Sequence, residues 1–362
     1  MKWTPPNLSP RLGENQRFSK TRRSGEVHAI SYPTIGIDTA KDVFHIVVAD
    51  PAGRPVKKVK LKRNKLAAFM ANQPVSMVFL ESCAGSHHWA RAFTGFGHRV
   101  EQIAPQFVKR YRNGDKNDFN DGQACIEAGL RPTVRSVGTK SVEQQELQSL
   151  QRARTLVLGQ RNAVGNQLRA MLAEFGVVVA RSIGALRRRI PEVLEDAENE
   201  LTDGMRRLVA EEFERWRGLA ERVEVLRGRI ERGSRTDAKM KRLQKELEGV
   251  GPLSAAALWT AVADPKAFAQ GRQFAAFVGL VPRQHTTGDR PRLLGIRKGG
   301  QNELRALLIH GARAAIRHLG DKTDPKSLWL RALVERRGKN RAAVALANKN
   351  ARQAWAILCQ AA

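Results

Sequence analysis

Between Thr34 and Ser82 the chain carries four short runs with strand character, and this stretch limits the fold more than any other. "TIGID" ends on Asp38, and "VFHIVVA" from Val43 to Ala49 follows across a short turn. "PAGRP", Pro51 to Pro55, is a second turn, after which "VKKVKLK" alternates apolar with basic residues. Alternation around tight turns predicts an antiparallel meander of three strands. "VSMVFLES", Val75 to Ser82, is continuously apolar, as a strand covered on both faces would be. A helix over Ser86–Phe96, a fifth strand in "HRVEQIA", a basic loop and a helix over Asp118–Ala128 complete the pattern. Paired strands followed by strands alternating with helices predict an α/β domain over residues 32–138.

Four acids stand at the ends of these elements. Asp38 closes the first strand, Glu81 closes the fourth, and Asp118 and Asp121 lie three apart on one helical face. In an RNase-H-like sheet the first and fourth strands are neighbours, and the helix after the fifth covers their carboxyl ends. All four carboxylates would then converge. Such a cluster is unfavourable by mutual repulsion unless hard cations occupy it. Mg²⁺ takes oxygen ligands, and two such ions can clamp the attacking and leaving oxygens of a phosphodiester. Taken singly, Asp38 also suits a turn, and Asp118 or Asp121 suits a helix N-cap. Glu81 after "MVFL" is harder to place without a partner.

The charge balance names the other party. Lys plus Arg number 63 against 35 acids, a net charge of +28 that far exceeds what solubility needs and points to a polyanion, nucleic acid first. No run of apolar residues is long enough to span a bilayer, and the first thirty residues lack a signal-peptide core. Cys83, Cys125 and Cys359 fit neither a disulfide framework nor a zinc spacing. The expected setting is the reducing cytoplasm, at the nucleoid, without zinc or membrane.

The remaining chain divides by composition. Residues 1–31 are basic and aperiodic, a flexible arm. Residues 139–248 carry helical seams: Leu150, Val157, Val164 and Met171 recur every seventh residue, and Trp216, Leu219, Val223, Leu226 and Ile230 alternate three and four apart. They predict a coiled-coil connector, pairing within the chain or with a second copy, with Arg154 and Arg161 interrupting the first seam. Residues 249–362 read as a helical C-terminal domain around a polar Gly/Arg loop. "GVGPLSAAAL" has the form of a helix-hairpin-helix turn, where Gly249 and Gly251 would let backbone approach a phosphate, or of a plain interhelical turn. "PRQHTTGDRPRLLGIRKGG" gathers hydroxyls and cations. Either a nucleophile sits there within stabilising positive charge, or a basic loop binds backbone phosphates.

"IGID" with Lys41, "LESCAG", "KNDFNDGQACIEA", "GVGPLSAAAL", "GLVPRQHTTG" and "ELRALLIHGARA" together resemble the insertion-sequence-110 family of transposases, and within it the 1111 subgroup. The resemblance runs from about residue 34 almost to the end. It implies a RuvC-like, RNase-H-like N-terminal domain whose Asp-Glu-Asp-Asp set falls on Asp38, Glu81, Asp118 and Asp121, with Asp115 outside the pattern. It implies Mg²⁺, two ions; DNA of the element ends and target; a structured guide RNA; and homo-oligomers, dimers joining into a tetramer. The family's serine nucleophile has no counterpart here, because Thr286 and Thr287 occupy its segment. Thr287, preceding Gly288, matches the family's Ser-Gly pairing; beside it His285 reads as a phosphate contact or structural residue at least as readily as a base, and Arg292, Lys298 and Arg305 read either as phosphate contacts or as solvated charges. The expected activity is strand cutting and rejoining without ATP. Two other readings stay open: a Mg²⁺-dependent structure-specific nuclease of the Holliday-junction-resolvase kind, and an inactive nucleic-acid-binding copy.

Overall fold

The computed structural model describes residues 32–115, 117–288, 290–296 and 299–360. The N-terminal arm and Lys298 lie outside the described residues. The chain forms two compact units. One runs to Lys140 and includes Ala263–Ala269, and the other holds Ser141–Val262 with Gln270 onward.

The first unit is built on six strands: β1 (Thr34–Asp38), β2 (Val43–Ala49), β3 (Pro55–Lys62), β4 (Met77–Glu81), β5 (Arg99–Ile103) and the two-residue β6 (Ser136–Val137). Their order across the sheet is β3-β2-β1-β4-β5-β6. The meander β1-β2-β3 is antiparallel, whereas β1 with β4 and β4 with β5 run parallel. Helices α1 (Arg63–Ala71) and α2 (Ser86–Gly95) cover one face, and α3 (Pro105–Tyr111) and α4 (Asp118–Leu130) the other.

The period-two alternation sorts side chains between these faces. Ile35, Ile37, Phe44, Ile46, Val78 and Leu80 pack with Leu66, Met70, Trp89 and Phe93 beneath α1 and α2. Val47, Ala49, Met77 and Phe79 pack with Ala124, Cys125, Ile126 and Ala128 of α4. Sharing the α4 face by alternation are Gly36, Asp38, His45 and Glu81. The basic loop expected after β5 contains a helix, because Pro105 sits in the first turn of α3, where its fixed φ and missing N–H are tolerated. Residues 63–71, which carry no clear periodic signal in the sequence, form α1 by burying Leu66 and Met70 one turn apart.

The second unit is helical. Ser141 and Gln144 form a reciprocal capping box that opens the 32-residue α5 (Val142–Ala173), and Thr202 caps the 32-residue α7 (Asp203–Ser234). A Cβ on Gly165 would touch the Trp216 indole and one on Gly233 would touch Leu147, so α5 and α7 run antiparallel. Helices α5 and α7 pack against each other within the chain, with Val164 of the first seam and Trp216 of the second in one core, while Leu150 and Val157 are only half-buried. Helix α6 (Ile183–Glu195) adds Leu186, Ile190 and Val193 to that core. Arg154 and Arg161 keep buried Nε atoms without a partner among the described residues, and burial pulls the Arg161 guanidinium pKa down.

Helices α8 (Ala238–Glu246), α9 (Pro252–Ala261), α10 (Gly271–Val278), α11 (Asn302–Arg317), α12 (Pro325–Arg337) and α13 (Lys339–Cys359) complete this unit. The polar Gly/Arg segment is not an irregular loop but a hairpin, β7 (Pro282–Thr287) with β8 (Arg290–Ile296). The strands pair as far as Thr287↔Arg290, and Gly288, which follows Thr287, takes the positive φ that tight hairpin turns require.

Candidate metal centre and reactive hairpin

The β1–β4 register, Ile37 beside Leu80, brings Asp38 alongside Glu81 at the carboxyl end of the sheet one residue on. Both then project toward α4. That helix lies unusually close to β1 because two glycines meet: a Cβ built on Gly36 would sit 2.0 Å from the Gly122 carbonyl oxygen. Asp121 immediately precedes Gly122. The close approach therefore carries the first turn of α4, with Asp118 and Asp121, over the end of β1. Asn117 caps the helix by accepting from the Phe119 N–H, which leaves both aspartates free of the capping role.

Carboxylate oxygens of Asp38, Asp118 and Asp121 lie within 4.8 Å of one another. Glu81 belongs to the same field. Its pKa is raised above 4.5, first by burial and then by the charges of Asp38 and Asp121, while Arg112 pulls it down. Arg112 Nη1 donates to Asp121 Oδ1 at 3.2 Å. On the sheet side, His45 faces Asp38 across the β1–β2 ladder, and its Nδ1 lies 3.2 Å from Asp118 Oδ2. The Phe119 ring meets the imidazole edge-on at 4.8 Å and fixes its plane. Cys83, beside Thr39, has a thiol pKa raised above 9.0 by burial and by the Glu81 and Asp38 charges, so it stays protonated at neutral pH. The donor atoms that Asp38, Asp118 and Asp121 offer are all oxygen, which fits a hard divalent cation better than zinc or copper.

The sequence named the four acids but missed His45 and Arg112. A lone histidine in a strand and an arginine in a basic loop carry no local signal. Only the β1–β2 register and the end of α3 bring them to the carboxylates.

In the second unit every residue from Pro282 to Leu294 that is described is exposed. Cross-strand pairs share a face. Thr287 pairs with Arg290 and His285 with Arg292, so one face presents a hydroxyl, an imidazole and two guanidinium groups together. Thr286 lies on the other face with Pro291 and Leu293, and its Oγ1 accepts from Gln284 Nε2 at 2.9 Å. Arg305 donates to the Gly299 carbonyl and Asn302 Oδ1 at the start of α11. Gly249 takes φ +74 and packs against Gly311 of α11, where a Cβ would lie 2.2 Å from a carbonyl oxygen. Gly251 is exposed at the N-terminus of α9, with nothing near its Cβ position.

Residues 35–176 match the DEDD transposase domain of the IS110 group, and residues 241–327 match the transposase IS116/IS110/IS902 family. A probable family 20 transposase of Pseudomonas aeruginosa is 43% identical over 325 residues, 90% of this chain and 96% of that relative. The chain belongs to the IS116/IS110/IS902 transposase family. The transposase for insertion sequence element IS1111A of Coxiella burnetii is 41% identical over 341 residues, 94% of this chain and 92% of its own length. That for IS1328 of Yersinia enterocolitica is 35% identical over 328 residues, 90% and 96% of the two chains. This IS110-family chain is therefore an insertion-sequence transposase with a DEDD domain. The acids at 38, 81, 118 and 121 all fall inside the matched DEDD stretch. A DEDD domain implies divalent-metal use, and the oxygen cluster suits it. Among the described residues no helix is long and apolar enough to cross a membrane.

Proposed function

We propose that this transposase cuts and rejoins DNA strands at the ends of its element and at a target, using an RNase-H-like, RuvC-like domain and a threonine nucleophile. The observation that carries the reading is the convergence of Asp38, Asp118 and Asp121 within 4.8 Å, with Glu81 in their field. The 3-2-1-4-5 sheet order, with parallel β1 and β4 under α4, supports the RNase-H-like assignment. Asp38, Glu81, Asp118 and Asp121 would hold Mg²⁺, two ions. Bound there, the metal would supply Lewis-acid stabilisation of phosphodiester oxygens.

This chain's residues supply the nucleophile. Of the two threonines, Thr287 is the stronger candidate, since its face also carries His285, Arg290 and Arg292. Its Oγ attacks phosphorus as the threonine hydroxyl proton passes to a base, for which His285 on the same face is the candidate; the P–O bond to a deoxyribose oxygen breaks, and that oxygen leaves and takes up a proton to become a free hydroxyl. A hydroxyl of the second strand then attacks the phosphothreonine and restores Thr287, so bond energy is conserved and no ATP is used. The acids and the hydroxyl belong to different units. In a dimer or tetramer the acids of one chain would meet the hydroxyl of another at one phosphodiester. A structured RNA encoded by the element would select the sequences by pairing, its backbone held by the chain's net charge of +28. Gly251, His285, Arg292, Lys298 and Arg305 are proposed nucleic-acid contacts, with Gly249 shaping the turn that presents Gly251.

The test mixes the full chain with its element-end DNA, the flanking transcript and Mg²⁺. A recombined junction and a protease-sensitive covalent protein–DNA adduct are expected. Both should vanish in Asp118→Asn, and the adduct should vanish in Thr287→Ala but persist in Thr286→Ala. Cutting that needs Asp118 yet survives loss of both threonines would replace the proposal with a hydrolytic nuclease.

A further inference from the structure

The sheet's free edge carries a feature that the catalytic reading does not use. From Arg54 to Lys65 there are seven cations and no acid, so the edge is a single-sign field and not a mixed solvated surface. Its lysines are sorted. Val59 and Leu61 pack toward the α1–α2 core, which leaves Lys58, Lys60 and Lys62 on the opposite face, the one that bears the carboxylates. Lys60 stands directly across from His45, and Lys62 across from Val43, at the end of the sheet where β1 finishes. Lys58 Nζ lies 5.8 Å from the centre of the Phe119 ring, whose neighbour is Asp118. Among the described residues no carboxylate is within ion-pair distance of these three ammonium groups, and all three are exposed.

Lysines on an edge strand also discourage strand addition. That role is served by charge anywhere along the exposed edge and does not require a row running into the acid cluster. Side chains two apart on a strand repeat every ~7 Å, a regular series of point charges suited to a polyanionic backbone and indifferent to base sequence. We propose that Lys58, Lys60 and Lys62 form a track that holds the backbone of the DNA strand to be cut and leads it along β3 to Asp38 and Asp118. This rests on the carboxylate reading above and adds the surface by which the substrate enters.

The test measures binding of the full chain to a single-stranded oligonucleotide of the element end, in EDTA, across a range of salt concentrations. Each phosphate contact to a single strand contributes about 0.7 to the slope of log K against log salt. The triple variant Lys58→Gln/Lys60→Gln/Lys62→Gln should therefore lower the slope by about 2, and in Mg²⁺ should raise KM for cutting more than it lowers kcat. Lys57→Gln/Lys65→Gln, which removes charge off this face, should leave the slope unchanged. Equal melting temperatures of the variants check folding. A wild-type slope in the triple variant overturns the track, as does an equal drop in the control pair. So does a drop confined to the element's RNA transcript, which would reassign the row to RNA. Asp118→Asn separates the two claims: if it still cuts, the carboxylate reading fails whatever the lysines do. If it binds without cutting while the triple variant behaves as wild type, only the track fails.

Discussion

Replacing Gly36 by alanine should separate the acids without touching one. The new Cβ would lie 2.0 Å from the Gly122 carbonyl oxygen, 3.0 Å from its carbon and 2.7 Å from Ile126 Cγ1. Ordinary contact begins at 3.4 Å, so the gap is short by about 1.4 Å against backbone that cannot rotate away. Gly36 is paired on both sides, to Val47 and Phe79, so the sheet holds and α4 must lift. Overpacking of this kind costs about 1–3 kcal/mol. Asp121, one residue before Gly122, moves with the helix, and a displacement near 1 Å at a reacting centre can cost about 100-fold in rate. Gly122→Ala is the matched control. Its Cβ would meet Gly36 O and Val47 Cγ2 at 3.3 Å, a fit that needs the neighbours to give by only a few tenths of an ångström, and alanine favours the helix by about 1 kcal/mol. Denaturant unfolding and calorimetric Mg²⁺ titration should show Gly36→Ala destabilised and poor in metal binding, with Gly122→Ala close to wild type. Equal behaviour of the two, or an undisturbed Gly36→Ala, would refute the packing argument.

Glu81→Gln should raise the melting temperature in EDTA while abolishing stabilisation by Mg²⁺. The native Glu81 pKa is raised, so the folded state holds the proton more tightly than the unfolded one. Its contribution is favourable at low pH and is lost as pH climbs from 4.5 toward the raised value. Arg112→Ala should steepen that loss in a pH series of melting curves, because the guanidinium is the group that lowers Glu81. His45→Leu should weaken metal binding by about 10-fold or more, whereas His45→Asn, able to place a donor where Nδ1 stands, should recover most of it by titration.

Much of the first unit was legible because its signals are local. The period of two in "VFHIVVA" and "VKKVKLK", the continuous run "MVFLE" and the acids at strand ends depend only on neighbouring residues. The hairpin β7–β8 left a local signal too, Gly288-Asp289 between β-branched and basic residues, but "HTTGDRPRL" contains a proline and little apolar alternation, so it reads as loop. Gly249 looked like a residue open to phosphate. Its backbone freedom is spent on packing against Gly311, sixty-two positions away, and no window around "GVGP" contains that partner.

The amino-acid order alone determined the meander, the helical seams, the excess of positive charge and the acids Asp38, Glu81, Asp118 and Asp121, since each follows from side-chain type and short-range periodicity. Tertiary structure alone decided that three of those carboxylates come within 4.8 Å, that His45 and Arg112 attend them, that α5 pairs with α7, and that the β3 lysines share the carboxylate face. The physical reason is that these facts depend on strand register and on the glycine-to-glycine approach of α4 to β1, contacts between segments far apart in sequence that no local preference encodes.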